Sequence, residues 1–328
     1  MKFAKTLITA LGALAIAASA SNEAQADTLK FGTLAPKQSI WGQVFQVWEK
    51  AVAKKSDGKL ELVFDYNGTQ GDEGAMAGKI KAGQLDGAAV TGVGLSKFHK
   101  PVIAMQMPGV LTDWDKVDKG LAATQDEFNK GLSDAGATNL GWGFVGLARP
   151  FLKGDSVLST PDDLKARKPY MWRDDPISPV FYQVIGAKPV PLNVPEVLPN
   201  LKTGVIDTVI APALAVEQLQ WSGQLNQMSN QTVGAAIGAI IMSSKRLDGL
   251  PADLRTIVID TGAIAARALT GKIKQADTDA ADRMGKKMSR FDVNEAAFTK
   301  TFKEVRKTLR QGTFTDELVD KLEAAAGL

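Results

Sequence analysis

The sequence predicts an α/β protein of two lobes joined by a hinge, with one long helix crossing both. Three observations predict it. Stretches of strand-like alternation take turns with stretches of helical spacing, the mark of parallel strands joined by crossover helices. A joint of helix end, glycine and strand occurs twice, as IKAGQLDGAAV at 80–90 and LKTGVIDTVIA at 201–211. From Ile257 to Met284 the apolar positions then keep helical spacing, a run of about seven turns against a mean helix of about three.

The first residues read as a targeting segment. Lys2 and Lys5 form a basic start, Leu7–Ala18 is apolar without charge, and A-x-A patterns follow at Ala18–Ala20 and Ala24–Ala26. This is the layout of a secretory signal peptide over 1–26, with cleavage after Ala26 leaving Asp27 first. A membrane anchor is the alternative, but the apolar run is short against the ~20 residues needed to span a bilayer.

The first lobe opens with a strand at Thr28–Leu34, ending at Pro36. Ile40, Trp41, Val44, Trp48 and Val52 fall at helical spacing, with Ser39 as N-cap and Gly58 beyond the end. Leu60, Leu62, Phe64 and Tyr66 alternate as a half-buried strand closed by Asn67-Gly68. A helix over Ala75–Ala82 stops at Gly83, and Leu85–Val93 is the next strand. The second lobe repeats the scheme with a helix at Ser178–Ile185, a strand at Pro189–Leu192 and a helix opening near Pro195-Glu196. Gly83 and Gly204 are expected to be left-handed caps, and the strand after each carries aspartate as its third residue. Helix–glycine–strand joints recur in many α/β proteins, so the paired joints alone do not establish a duplication. Val233–Met242 reads as a buried strand, Leu250-Pro251 opens the long helix, and helices at Phe298–Leu309 and Leu318–Ala325 close the chain. Two lobes joined by several crossing segments form a hinged clam whose cleft would enclose a ligand.

Composition removes many activities. The chain has 328 residues, enough for about two domains. With no cysteine and a single histidine, it has no disulfide, thiolate metal site, cysteine nucleophile, lipoprotein anchor or two-histidine centre. A net charge of +3 is too even for a nucleic-acid binder. His99 has no acidic or serine partner nearby in sequence and reads as a loop or surface residue. Gly92/Gly94 and Gly141/Gly143 lack the following helix of a phosphate loop and read as close-packed strand glycines. Asp72-Glu73 and Asp174-Asp175 read as solvated turn residues or helix starts. Trp41, after the first strand's loop, and Tyr170 with Trp172, on a strand, lie where strand ends face a cleft. There they can enclose an apolar ligand, and a place in the core is an equal alternative for each.

These residues together resemble the periplasmic solute-binding subunit of a tripartite ATP-independent periplasmic (TRAP) transporter, of the DctP type. The resemblance rests on FGTLAPKQSIWGQ at 31–43, the strand, Asn-Gly turn and GDE run from Leu60 to Glu73, and KIKAGQLDGAAVT at 79–91. It continues through TPDDLKARK at 160–168, GAKPVPLNVPEVLPNLKTGVIDTV at 186–209 and LPADLR at 250–255. It implies a two-lobed periplasmic binding protein fold, expected to divide into 27–146 plus 236–274 for lobe I and 147–235 plus 275–328 for lobe II. It further implies a soluble periplasmic monomer, not an enzyme and without cofactor, that delivers one small molecule to integral membrane subunits; no residue is assigned to a metal, which accompanies the ligand in some relatives and for which Asp72, Glu73, Glu196 and Asp207 are the available oxygens.

The departures from the family pattern concern the ligand. Aligned on Asp163-Leu164-Lys165, the strand position that carries a carboxylate-clamping arginine in the family is Tyr170 here. The asparagine before a proline near the end of a later strand falls on Ala211, before Pro212. Tyrosine cannot replace the charge of a bidentate arginine. Arg149 matches a second, less general family arginine, Arg167 and Arg173 flank Tyr170 at odd offsets, and a slip of alignment would restore one of these two. The expected ligand-binding set is Trp41, Gln70, Glu73, Thr91, Arg149, Tyr170, Trp172, Ala211 and Pro212, around a hydrophobic or amphipathic ligand. The alternatives are a small organic acid held through Arg149, a periplasmic protein that binds a partner in an envelope complex, or an exported enzyme using His99, Asp72 or Glu73 as a base.

Overall fold

The computed structural model describes residues 26–328, so the expected signal peptide lies almost wholly outside the described residues. In chain order the elements begin β1 (Asp27–Thr33), α1 (Ile40–Lys55), β2 (Leu60–Asp65), α2 (Glu73–Lys81), β3 (Gly87–Thr91) and α3 (Gly92–Ser96). Then follow α4 (Trp114–Asp134), β4 (Ala137–Leu152), β5 (Tyr170–Trp172), α5 (Ser178–Ile185), β6 (Val190–Leu192), α6 (Val194–Thr203), β7 (Thr208–Pro212) and α7 (Ala213–Gln218). The chain ends with β8 (Gln227–Ser229), β9 (Gly234–Ser243), α8 (Ser244–Asp248), α9 (Ala252–Gly285), β10 (Ser289–Phe291), α10 (Glu295–Arg310) and α11 (Asp316–Ala325). Ser39 caps α1 by accepting the Gly42 N–H, Asn67 and Gly68 both take positive φ in the turn after β2, and Gly83 and Gly204 are left-handed at φ +72° and +73°.

The two halves share the local architecture that the paired joints suggest. In one half β2, β1 and β3 run parallel, and β3 pairs antiparallel with β9. In the other half β6 and β5 run parallel, a parallel bridge from Pro169 to Thr208 joins them to β7, and β7 pairs antiparallel with β4. The two aspartates of the repeat make matching bonds. Asp86 exchanges backbone and carboxylate bonds with Lys30, as Asp207 does with Lys168, at 2.7–3.0 Å. Each carbonyl also accepts an N–H from the long neighbouring strand, Ser243 for Asp86 and Lys153 for Asp207, both at 2.8 Å. Neither aspartate is inside its strand as expected. Each lies one residue before it, where the side chain can reach sideways to a backbone N–H.

Three segments cross between the halves: β4, β9 and α9. β4 pairs with β9 from Ala137↔Ser243 to Ala148↔Gly234, with irregularities at Asn139/Gly141 and Phe144/Gly146. At the second, Gly146 takes φ +148°, which an L side chain rarely adopts. α9, of 34 residues, packs along both β4 and α1, and Trp48 Nε1 donates to Thr261 Oγ1 at 2.9 Å. Gly141 is a close-packed strand glycine as expected, since a Cβ there would lie 2.4 Å from the Ala266 Cβ of α9. Gly92 and Gly94 are a correction. They form α3 rather than the end of a strand, because Thr91 caps the turn by accepting the Val93 N–H and a Cβ at Gly94 would meet Glu73 Oε2 at 3.0 Å. The strand expected at Leu85–Val93 is therefore shortened to Gly87–Thr91.

Candidate functional site

Between the halves is a cavity of about 300 Å³, walled by the ends of β1, β3, β5 and β7, the hinge strands β4 and β9, and α5 and α10. Its lining contains ten aromatic residues, among them Trp41, Phe45, Phe144, Tyr170, Trp172 and Trp221, and aliphatic positions of β4, β7 and β9. The polar side chains of the wall include Glu73, Thr91, Gln106, Asp175 and Ser178. Among the described residues that line it there is no lysine, arginine or histidine. A buried carboxylate without a cation costs several kcal/mol or more, so this wall suits apolar surface.

The elements place these side chains for local reasons. Ser39 starts α1 so that Trp41 turns into the cleft, with its Nε1 donating to the Phe144 carbonyl at 3.3 Å. β5 brings Tyr170 and Trp172 together, and Tyr182 of α5 donates its hydroxyl to the Tyr170 carbonyl at 3.0 Å. The Trp221 ring meets the Tyr170 ring edge-on, centroids 6.0 Å apart. The Tyr170 hydroxyl is buried and has no hydrogen-bond partner.

Asp72 and Glu73 start α2, one of the two expected readings, and Asp174 is a partly exposed turn residue; the correction is that Asp72 and Glu73 are buried rather than solvated. Asp72 caps α2 with one oxygen, at 2.7 Å from the Glu73 N–H. Its other oxygen accepts from Trp172 Nε1 at 3.1 Å and from the Val194 N–H at 2.9 Å. Glu73 is 1 % exposed and accepts from the Thr91 N–H, the Thr91 hydroxyl and the Gly94 N–H at 2.7–2.8 Å. Burial outweighs those bonds and pushes its carboxyl up to about 8. Asp175 accepts from the Ile177 N–H and the Ser178 hydroxyl, and burial raises its carboxyl as well. Burial was missed because a sequence does not show that two turns, one on each lobe, close on each other.

Of the expected set, the cavity wall includes Trp41, Glu73, Thr91, Tyr170, Trp172, Ala211 and Pro212. Gln70 lies outside it, its amide donating to Asp65 at 2.7 Å and accepting from Lys79 at 2.8 Å. Arg149 also lies outside, with Nη1 3.4 Å from the Asn230 carbonyl. Arg167 is spent on Thr208 Oγ1 and the carbonyls of Ser156 and Lys153, and Arg173 faces Glu196 and the Pro191 carbonyl. Neither touches the cavity. His99 packs on Phe128, also away from it. The wall positions missed in the sequence are chiefly Phe45, Phe144, Tyr182, Trp221, Phe298 and Phe302. Phe298 and Phe302 showed only as the apolar face of a helix, a pattern that core packing produces equally.

The sequence profile of the DctP family, described as bacterial extracellular solute-binding protein family 7, matches residues 31–316. The chain belongs to this family. As a DctP protein it is a binding protein and not an enzyme. A solute-binding protein of Sulfitobacter sp. strain NAS-14.1 is 27% identical over 267 residues, covering 79% of each chain. The fold is similar to a sugar-acid-binding DctP-type protein of Advenella mimigardefordensis, with a TM-score of 0.85, 16% identity, and coverage of 92% of this chain and 98% of that one. It is equally similar to a TRAP periplasmic solute-binding protein of Sulfurospirillum deleyianum, with a TM-score of 0.84, 18% identity, and coverage of 91% and 98%. The former was solved with galactonate and the latter with succinate. Among the described residues no helix is long and apolar enough to cross a membrane.

Proposed function

We propose that this DctP protein encloses one hydrophobic or amphipathic molecule between its lobes in the periplasm and, as a monomer, delivers it to TRAP-type integral membrane subunits. The observation that carries the reading is the wall itself: mostly aromatic and aliphatic, with two carboxyl groups, a few neutral polar side chains and, among the described residues, no cationic one. Burying apolar solute surface there contributes about 1 kcal/mol per 40 Å² without needing a charge partner. Trp41, Tyr170 and Trp172 supply the enclosing rings, Ala211 and Pro212 line the β7 side, and Glu73 and Thr91 form the polar side.

The second reading is a small organic acid held by Arg149. The acids bound to the structural neighbours favour it. Against it, Arg149 stands outside the wall and would have to swing in on ligand binding. A thermal-shift screen separates the two. Neutral apolar and amphipathic compounds raise the melting temperature under the first reading, and dicarboxylates and sugar acids leave it unchanged; the reverse pattern supports the second.

A further inference from the structure

Tyr170 occupies a singular place in the cavity. It is 9 % exposed, its ring is fixed by the edge of Trp221, and its carbonyl is fixed by the hydroxyl of Tyr182. Its own hydroxyl is buried with no partner. The other polar groups of the wall are largely committed inside the protein. Glu73 accepts three donors, Asp175 accepts two, Thr91 Oγ1 lies between Glu73 and the Val93 N–H, and Gln106 Oε1 accepts from the Ile237 N–H. Of the buried side-chain polar atoms without a partner among the described residues, only that of Tyr170 belongs to a cavity-lining residue. A buried O–H without an acceptor is unfavourable, and a solute that supplies one removes that cost.

We infer that the solute presents an uncharged oxygen acceptor, such as a carbonyl or ether, to the Tyr170 hydroxyl, and that the site discriminates against charged heads of the same shape. The inference rests on the reading of the cavity as apolar and names the polar end of its ligand. The ionisable groups that act on the Tyr170 hydroxyl are Asp72, Asp175, Glu73 and Tyr182, which can carry only negative charge. Together with burial they keep it a proton donor, and they oppose a ligand carboxylate at that spot. An ammonium head would find these carboxyl groups already bonded to backbone and hydroxyl donors, and would lose its water for little in return.

The test uses four probes on one frame: 2-ethylnaphthalene, 2-acetylnaphthalene, 2-naphthoate and 2-(aminomethyl)naphthalene, titrated by calorimetry at neutral pH into the full mature protein and its Tyr170→Phe variant. The expected order places the ketone about tenfold tighter than the hydrocarbon, with both ions weaker than either. Tyr170→Phe is expected to remove the tenfold advantage of the ketone over the hydrocarbon, and an unchanged far-ultraviolet circular dichroism spectrum with a cooperative melt shows that the variant is folded. Equal binding of ketone and hydrocarbon, or tighter binding of an ion than of the ketone, overturns the inference while leaving the apolar reading standing. Binding of the carboxylate alone, or of none of the four, overturns the apolar reading and the inference with it.

Discussion

The indole N–H of Trp172 donates to Asp72 Oδ2 at 3.1 Å, and that bond joins the two halves beside the cavity that Trp172 lines. Asp72 comes from the turn before α2, in the half built on β1–β3, and Trp172 ends β5 in the other half. The same carboxylate oxygen also accepts the Val194 N–H, and Lys97 reaches over to the Asp174 carbonyl at 3.1 Å. A residue expected at a solvated turn or a helix start thus accepts two bonds from the other half, while the tryptophan ring that supplies one of them lines the cavity.

Removing only the N–H isolates that bond. Trp172→Phe keeps an aromatic wall and is expected to weaken every solute, even a pure hydrocarbon, by about tenfold, because a charge-assisted bond to a carboxylate is lost on closure. Calorimetry with small-angle scattering checks it, with the ligand-free variant more open than the parent. A loss confined to oxygenated solutes would place the tryptophan in direct polar contact with ligand instead.

Trp172→Ala removes the ring as well and is expected to cost well over tenfold in affinity for an apolar solute. Arg149→Ala is expected to change affinity by less than about twofold, because Arg149 is not part of the wall. The reversed order of the two effects, measured by titration calorimetry, is the signature of an anion held by Arg149.

The buried carboxyl of Glu73 gives the fold a pH dependence of definite sign. Its folded value of about 8 lies above the ordinary carboxyl range. The folded state therefore binds the proton more tightly than the unfolded one. That contribution is fully present below about pH 4.5 and is lost as the pH rises through 8. Asp72, Asp175 and Asp277, all raised by burial, act in the same direction. Melting temperature is expected to fall between pH 5 and pH 9. Glu73→Gln is expected to be less stable, because an amide nitrogen would face the N–H of Thr91 or Gly94, and to show a flatter slope. A parent slope of opposite sign would show that the fold holds these carboxyl groups below their ordinary range instead of above it.

The hinge makes a separate prediction. Gly141→Ala forces a methyl to within van der Waals overlap of Ala266 on α9, with an expected cost of about 1–3 kcal/mol in thermal unfolding. Adding Ala266→Gly relieves the overlap and recovers part of the loss, the remainder being the cost of glycine inside a helix, about 1 kcal/mol. Full additivity of the two losses would mean that α9 and β4 are not packed as described.

Local features were legible in the sequence wherever local chemistry decides the outcome. Ser39 as cap, Asn67-Gly68 as turn, Gly83 and Gly204 as left-handed stops and the long helix all follow from neighbours within a few residues. The shared local architecture was visible as two similar joints, and it is carried by long-range bonds, Lys30 to Asp86 and Lys168 to Asp207, that no window on the chain contains. Burial of Asp72 and Glu73 was illegible for the same reason. Of the site, Trp41, Tyr170 and Trp172 were readable because aromatic rings near strand ends are unusual in themselves. Phe298 and Phe302 were not, because a helix face turned to a cavity has the same pattern as one turned to the core.

Native mass spectrometry of protein purified from the periplasm, followed by denaturation and identification of the released molecule, tests the central claim most directly. The account predicts one neutral, largely apolar molecule bearing an oxygen acceptor, bound one to one. Release of a small organic acid, with no apolar species, would contradict it and would make Arg149 the residue that has to enter the cavity.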